Sequence, residues 1–143
     1  MRFVILTGMS GSGKSTAMKM MEDIGFFCVD NLPISFLEAF MDLAMVQNSE
    51  LQQVAVGIDI RSGRPLGELE EVLKRSKEAG REIEVLFLDA DDSVLLKRYK
   101  ETRRSHPLAE NDRIETGIQR ERENLKHLRE SATYILDTSN LLT

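Results

Sequence analysis

Eight residues near the start, GMSGSGKS, fit the pattern G-x-x-x-x-G-K-[ST]. Gly8, Gly11 and Gly13 keep Cβ atoms out of the way, so successive backbone N–H groups can close around an anion at a helix N-terminus. Met9, Ser10 and Ser12 stand between them, and Thr16 follows the motif. Lys14 has the reach to meet the β- and γ-phosphates, and the Ser15 hydroxyl is a hard oxygen ligand suited to Mg²⁺. The chemistry on offer is the handling of a nucleoside triphosphate: transfer of a phosphoryl group, its loss to water, or binding alone. The plain alternative, a glycine-rich turn without a ligand, is disfavoured by context. The apolar run RFVIL precedes the loop, and STAMKMMEDI, with helical spacing, follows it.

Turnover needs acids as well as a cradle. Two carboxylates end apolar runs, Asp59 in VAVGID and Asp89 in VLFLD. In kinase-like sheets the acid that holds the metal's water lies on the strand beside the loop strand, which favours Asp59. Asp89, with Asp91 or Asp92, has the plainer role of capping the helix that follows. Asp30, just past the run FFCV, sits where a general base would meet an acceptor hydroxyl or a water, although an Asp before NLP also makes turns. Arg103 and Arg104 fall between two charged helices, where a lid could lay them on phosphate; Arg61 and Arg64 could do the same, and a solvated surface role is the alternative for each. His106 reads as a loop residue. Base choice is not encoded in the phosphate loop, and no N-K-x-D guanine signature occurs.

These residues need a scaffold that brings them to one edge. Short apolar runs at residues 2–6, 26–29, 53–59, 83–88 and 133–136 predict five strands. Helical patterns at 15–24, 34–46, 65–79, 92–102 and 113–129 separate them, with an irregular loop over 103–112. On the first helix the spacing points Ala17, Met20, Met21 and Ile24 inward; on the last it points Ile114, Ile118, Leu125 and Leu128 inward. Strands alternating with helices imply an α/β fold, a parallel five-stranded sheet with helices on both faces, of the kinase-like P-loop NTPase type. Right-handed crossovers place every strand's C-terminal end on one edge, and each of those ends carries polar residues here.

A chain of 143 residues, 41% apolar and 30% charged, is one domain with a real core. The opening MRFVIL is too short for a leader, and no apolar run approaches a membrane span, so a cytoplasmic location is expected. The net charge of −5 argues against general nucleic-acid binding, with basic character confined to KRYKETRR. Cys28 stands alone in an apolar run and reads as a small core residue.

The motifs GMSGSGKS, EDIGFFCVDNLP, IDIRS, LFLDADDSVLLKRYKETRRSHPL and DTSNL occur in order along the chain. Together they resemble the RapZ/YvcJ family of bacterial P-loop nucleotide-binding proteins. GFFCVDNLP and ETRRSHPL are far more specific than the phosphate loop. The resemblance implies the N-terminal domain of a protein about twice as long, which suits a chain whose last residues, SNLLT, look like the start of another helix. It implies binding of ATP and GTP with slow hydrolysis, the phosphate loop serving ATP. Asp59, Ile60, Arg61 and Ser62 form a GTP-associated segment by the same resemblance. It further implies a regulatory role, with RNA and protein partners engaged through a C-terminal domain that is not in this sequence. A homo-oligomer is compatible with all of this. The competing expectations are a small-molecule kinase using Asp30 and the arginines, and a binding module whose loop only stabilises the fold.

Overall fold

The computed structural model describes residues 2–45, 52–60, 64–102 and 114–140. Strand β1 (Arg2–Gly8) leads into helix α1 (Lys14–Asp23), followed by β2 (Phe27–Val29). A 3₁₀ turn (Ile34–Phe36) runs into α2 (Leu37–Ala44), and β3 (Gln53–Gly57) precedes α3 (Arg64–Glu78). Then come β4 (Ile83–Asp89), α4 (Asp92–Thr102), α5 (Ile114–Ser131) and β5 (Tyr134–Asp137). All pairings are parallel, in the order β2-β3-β1-β4-β5, so the strand that feeds the glycine loop lies at the centre.

Alternation along the central strand builds two cores. Phe3 and Ile5, with Val54, Val56 and Phe87, face a layer containing Leu37, Met41, Leu69, Leu95, Ile118 and Leu125. Val4 and Leu6, with Ala55 and Leu88, face Ala17, Met18 and Phe26 on the other side. Burying each of the larger apolar side chains contributes roughly 1.5–3 kcal/mol, enough to fix the strand order and register. On the outer edge β5 stays open, with Tyr134 and Ile135 about half exposed.

Two expectations change. α1 turns Ala17 and Met18 inward, with Met21 partly buried, while Met20 and Ile24 are exposed. Methionines at 18, 20 and 21 allow either helical face to be read as apolar; the start of the helix in the glycine loop selects one. The second helix opens as a 3₁₀ turn because Pro33, extended at its N-cap, accepts the Phe36 N–H at 3.0 Å before the α pattern begins. Among the described residues no helix is long and apolar enough to cross a membrane.

Candidate nucleotide site

Gly8 ends β1 against β4. A Cβ there would sit 2.2 Å from the Leu88 carbonyl oxygen, and φ is +151°, so glycine alone fits. The next residue donates its N–H to the same carbonyl at 3.1 Å, and the Ser12 N–H closes back on Met9 O at 3.1 Å. Gly13, left-handed, is the N-cap of α1, and no side chain caps the helix. Nor does an acidic residue occupy its first turn, so the positive end of the helix is left for an anion. The Ser12 hydroxyl, like that of Thr7, is buried without a hydrogen-bond partner among the described residues.

The loop, from Gly8 through Thr16, lines a cavity of about 500 Å³ together with Asp30, Asn31, Asp59, Arg98 and Tyr99. A larger cavity of about 670 Å³ lies between α2 and α3, where Glu38, Glu68, Glu71 and Arg75 line it, but it holds no anion cradle. In the loop cavity Lys14 Nζ stands 4.0 Å from Asp59 Oδ1, with 23% and 40% of the two side chains exposed. Ser15 is exposed at the first turn of α1. Asp30 reaches the site because β3 has a glycine opposite it: a Cβ at Gly57 would lie 2.6 Å from Asp30 Oδ1. The chain then reverses at Asn31, in a left-handed conformation that Asn tolerates, and Leu32 N–H bonds Gly57 O at 3.0 Å.

Asp89 has a different setting. Strands β3 and β4 both flank β1, so adjacency to the loop strand does not separate the two acids. Surroundings do. Arg122 donates to both Asp89 oxygens at 3.0 and 2.9 Å, Arg129 to Oδ2 at 2.9 Å, and the Ala90 N–H to Oδ1 at 2.7 Å. Arg122 also reaches Asp92 at 2.6 Å. Burial works against the Arg122 charge, but the hydrogen bonds to Asp89 and Asp92 outweigh it and hold the guanidinium above its ordinary value. The N-cap of α4 is Asp91, whose carbonyl accepts the N–H groups of Val94 and Leu95. Asp89 is thus a structural clasp for α5 and is absent from the lining of the loop cavity.

Four residues join the site without a sequence signal strong enough to single them out. Arg98 on α4 donates to Gly11 O at 3.0 Å and to Thr138 O at 2.6 Å. The Thr138 hydroxyl, past the end of β5, donates to Ser12 O at 2.6 Å. Tyr99 packs against Gly11, its ring 3.3 Å from where a Cβ would stand. Glu121 on α5 accepts the Ser10 N–H at 2.9 Å and the Ser10 hydroxyl at 2.6 Å. Arg98 lay within the basic run and Thr138 within DTSNL, whereas Glu121 sits in a charged stretch that reads as a solvated face.

Of the remaining expected residues, Ile60 turns its side chain into the core at 1% exposure, so any contact it makes with ligand runs through its main chain. Arg61, Ser62, Arg103, Arg104 and His106 lie outside the described residues. Burial, with the charges of Glu22 and Asp30 behind it, pushes the Cys28 thiol up, which suits a packing role.

Ser15 and Asp59 supply one hydroxyl and one carboxylate to the same cavity, and the described residues hold no cluster of three or more His, Cys, Asp or Glu that could cage a metal. Such a sparse, all-oxygen donor set fits Mg²⁺, which keeps several waters and binds with substrate phosphates.

The RapZ-like N-terminal domain family model matches residues 1–143. A nucleotide-binding protein from Agathobacter rectalis is 56% identical over 143 residues, covering 100% of this chain and 49% of its own. One from Lachnoclostridium phytofermentans is 56% identical over 142 residues, covering 99% of this chain and 50% of its own. The chain therefore spans about half the length of the curated relatives it matches. Among solved structures, a shikimate kinase from Bacteroides thetaiotaomicron superposes with a TM-score of 0.62 at 17% identity, over 95% of this chain and 86% of that one. At that identity the likeness is one of fold, the kinase-like P-loop arrangement. With a phosphate loop in place and the family pattern matched from end to end, the chain belongs to the RapZ-like N-terminal domain family.

Proposed function

We propose that this domain binds ATP and GTP with Mg²⁺ and hydrolyses them slowly, as the nucleotide-sensing half of a longer bacterial regulatory protein of the cytoplasm. The observation that carries the reading is the uncapped, left-handed entry to α1 at Gly13, opening into the same cavity as Lys14, Asp30 and Asp59. In this reading Lys14 swings from Asp59 to the β- and γ-phosphates when nucleotide enters. Asp59 and Ser15 hold the Mg²⁺, which supplies charge neutralisation on the phosphate oxygens. Asp30 orients a water and accepts its proton, and Arg103 and Arg104 add positive charge to the transferred group. In the same reading Asp59, Ile60, Arg61 and Ser62 form a GTP-associated segment, as the resemblance to the family implies. RNA and protein partners belong to the other half of the full-length protein.

Phosphate release from ATP and from GTP with Mg²⁺, measured without any acceptor, tests this. Slow turnover with both is expected, and Lys14→Ala should lower it on the order of 100-fold. A second reading draws on Asp30 in the same cavity: γ-phosphoryl transfer to a small-molecule hydroxyl. Turnover that appears only on adding a metabolite would establish it and remove the sensor reading. Nucleotide that raises Tm with no turnover under any condition would leave binding as the domain's whole activity.

A further inference from the structure

We propose that Glu121 is a positioning residue of the phosphate loop, holding Ser10 so that the loop is set in its ligand-ready shape before nucleotide arrives. The inference deepens the nucleotide reading and rests on it.

Glu121 is 0% exposed, and no other charged side chain among the described residues is buried so completely. It falls in line with Ile118, Leu125 and Leu128 on the inward stripe of α5, where an apolar side chain would serve packing better. A buried carboxylate is tolerated only where strong donors meet it. The Ser10 N–H and hydroxyl are such donors, from the third residue of the glycine loop.

These bonds fix the peptide between Met9 and Ser10 from outside the cavity. The same principle acts along the rest of the loop. Met9 N–H is held by Leu88 O, Gly11 O by Arg98, and Ser12 O by the Thr138 hydroxyl. With those peptides anchored by neighbouring elements, the loop loses little conformational freedom when an anion binds, which strengthens binding without any further contact to the ligand. Glu121 is well placed for this because its neighbour Arg122 grips Asp89, tying α5 to the strand that also receives Met9. Glu121 is absent from the cavity lining, so it acts through Ser10 and not on the nucleotide.

Two measurements on the full chain test this. The first is calorimetric titration with ATP and Mg²⁺ well below Tm, for wild type, Glu121→Ala, Glu121→Gln and Ser10→Ala. Glu121→Ala should raise Kd on the order of tenfold, and Ser10→Ala, which removes one of the two bonds, about threefold. Glu121→Gln keeps an oxygen for the Ser10 N–H and should restore Kd to within about threefold of wild type. If Glu121→Ala fails to fold, Ser10→Ala measured against wild type carries the test, and an unchanged Kd there overturns the proposal. Equal Kd for wild type, Glu121→Ala and Ser10→Ala, or a Glu121→Gln as weak as the alanine variant, would overturn the proposal.

The second measurement is amide exchange in nucleotide-free protein. Exchange at Ser10, Gly11 and Ser12 should quicken in Glu121→Ala while β1 and β3 stay protected. Loss of protection throughout, or none in the loop, would show a merely structural residue. A wild type that binds neither ATP nor GTP removes the nucleotide reading separately, and exchange still decides the positioning role.

Discussion

Asp59 and Asp89 begin alike and end differently. Each follows an apolar run, and their strands flank β1 on opposite sides. Asp59 keeps 40% of its side chain exposed and faces Lys14 across the loop cavity. Asp89 is 9% exposed at the side chain and gripped by Arg122 and Arg129. What separates them is α5, which brings two guanidiniums over the end of β4. The covering helix therefore decides which strand-end carboxylate is clasped into the scaffold and which faces the loop cavity.

The largest expected break in this contrast is Asp89→Ala. Removing the buried carboxylate of this partly exposed ion cluster, with its hydrogen bonds to two arginines, costs about 3 kcal/mol. In a chain of this size that lowers Tm by roughly 10 °C, and the Mg²⁺ requirement of turnover should not change. Asp59→Asn should do the opposite. It should raise the Mg²⁺ needed for half-maximal turnover about tenfold and leave Tm within about 1 °C. If the two outcomes were exchanged, so would be the two assignments.

A smaller effect sharpens the open side of the comparison without touching a carboxylate. Gly57→Ala places a methyl group in the space of Asp30 Oδ1, so turnover should fall about fivefold through misplacement of that acid. Nucleotide Kd should hold, and steady-state kinetics beside a titration would separate the two quantities.

The smallest effect belongs to a partly exposed pair that joins β1 to β4, the strand of Asp89. Arg2 Nε and Nη2 meet the two Glu84 oxygens at 2.8 and 3.0 Å, and those hydrogen bonds hold the Glu84 carboxyl below the usual range. Its folded-state pKa lies under the unfolded one. The pair therefore contributes stability above about pH 4.3, which is lost as pH falls through the lower folded value. Glu84→Gln should flatten the fall of Tm between about pH 5 and pH 3. A slope equal to that of wild type would remove the pair from the acid response.

The sequence made the scaffold legible because its signals are local. Apolar runs of strand length and the glycine motif act over a few residues, and all five strands stand within a residue or two of their expected places. The face of α1 was ambiguous since methionine at 18, 20 and 21 fits either side. In the site, the residues of the loop and the acids at strand ends could be found from type and spacing. Glu121 could not, because its role arises from a contact with Ser10 across 111 positions. The exclusion of Asp89 from the cavity likewise depends on Arg122 and Arg129, which read in isolation as solvated helix charges.

Thr138 stands one residue past the last strand, 4% exposed, with its N–H on Asp89 O at 2.8 Å and its hydroxyl on Ser12 O. It works as a latch that the chain's far end throws over its beginning. A domain trimmed for expression at Asp137 would retain every strand and helix and pass any test of folded content. It would also have lost the latch, and with it the side-chain anchor of Arg98 beside the loop. Where to cut such a domain is thus decided by one hydroxyl rather than by the edge of the sheet.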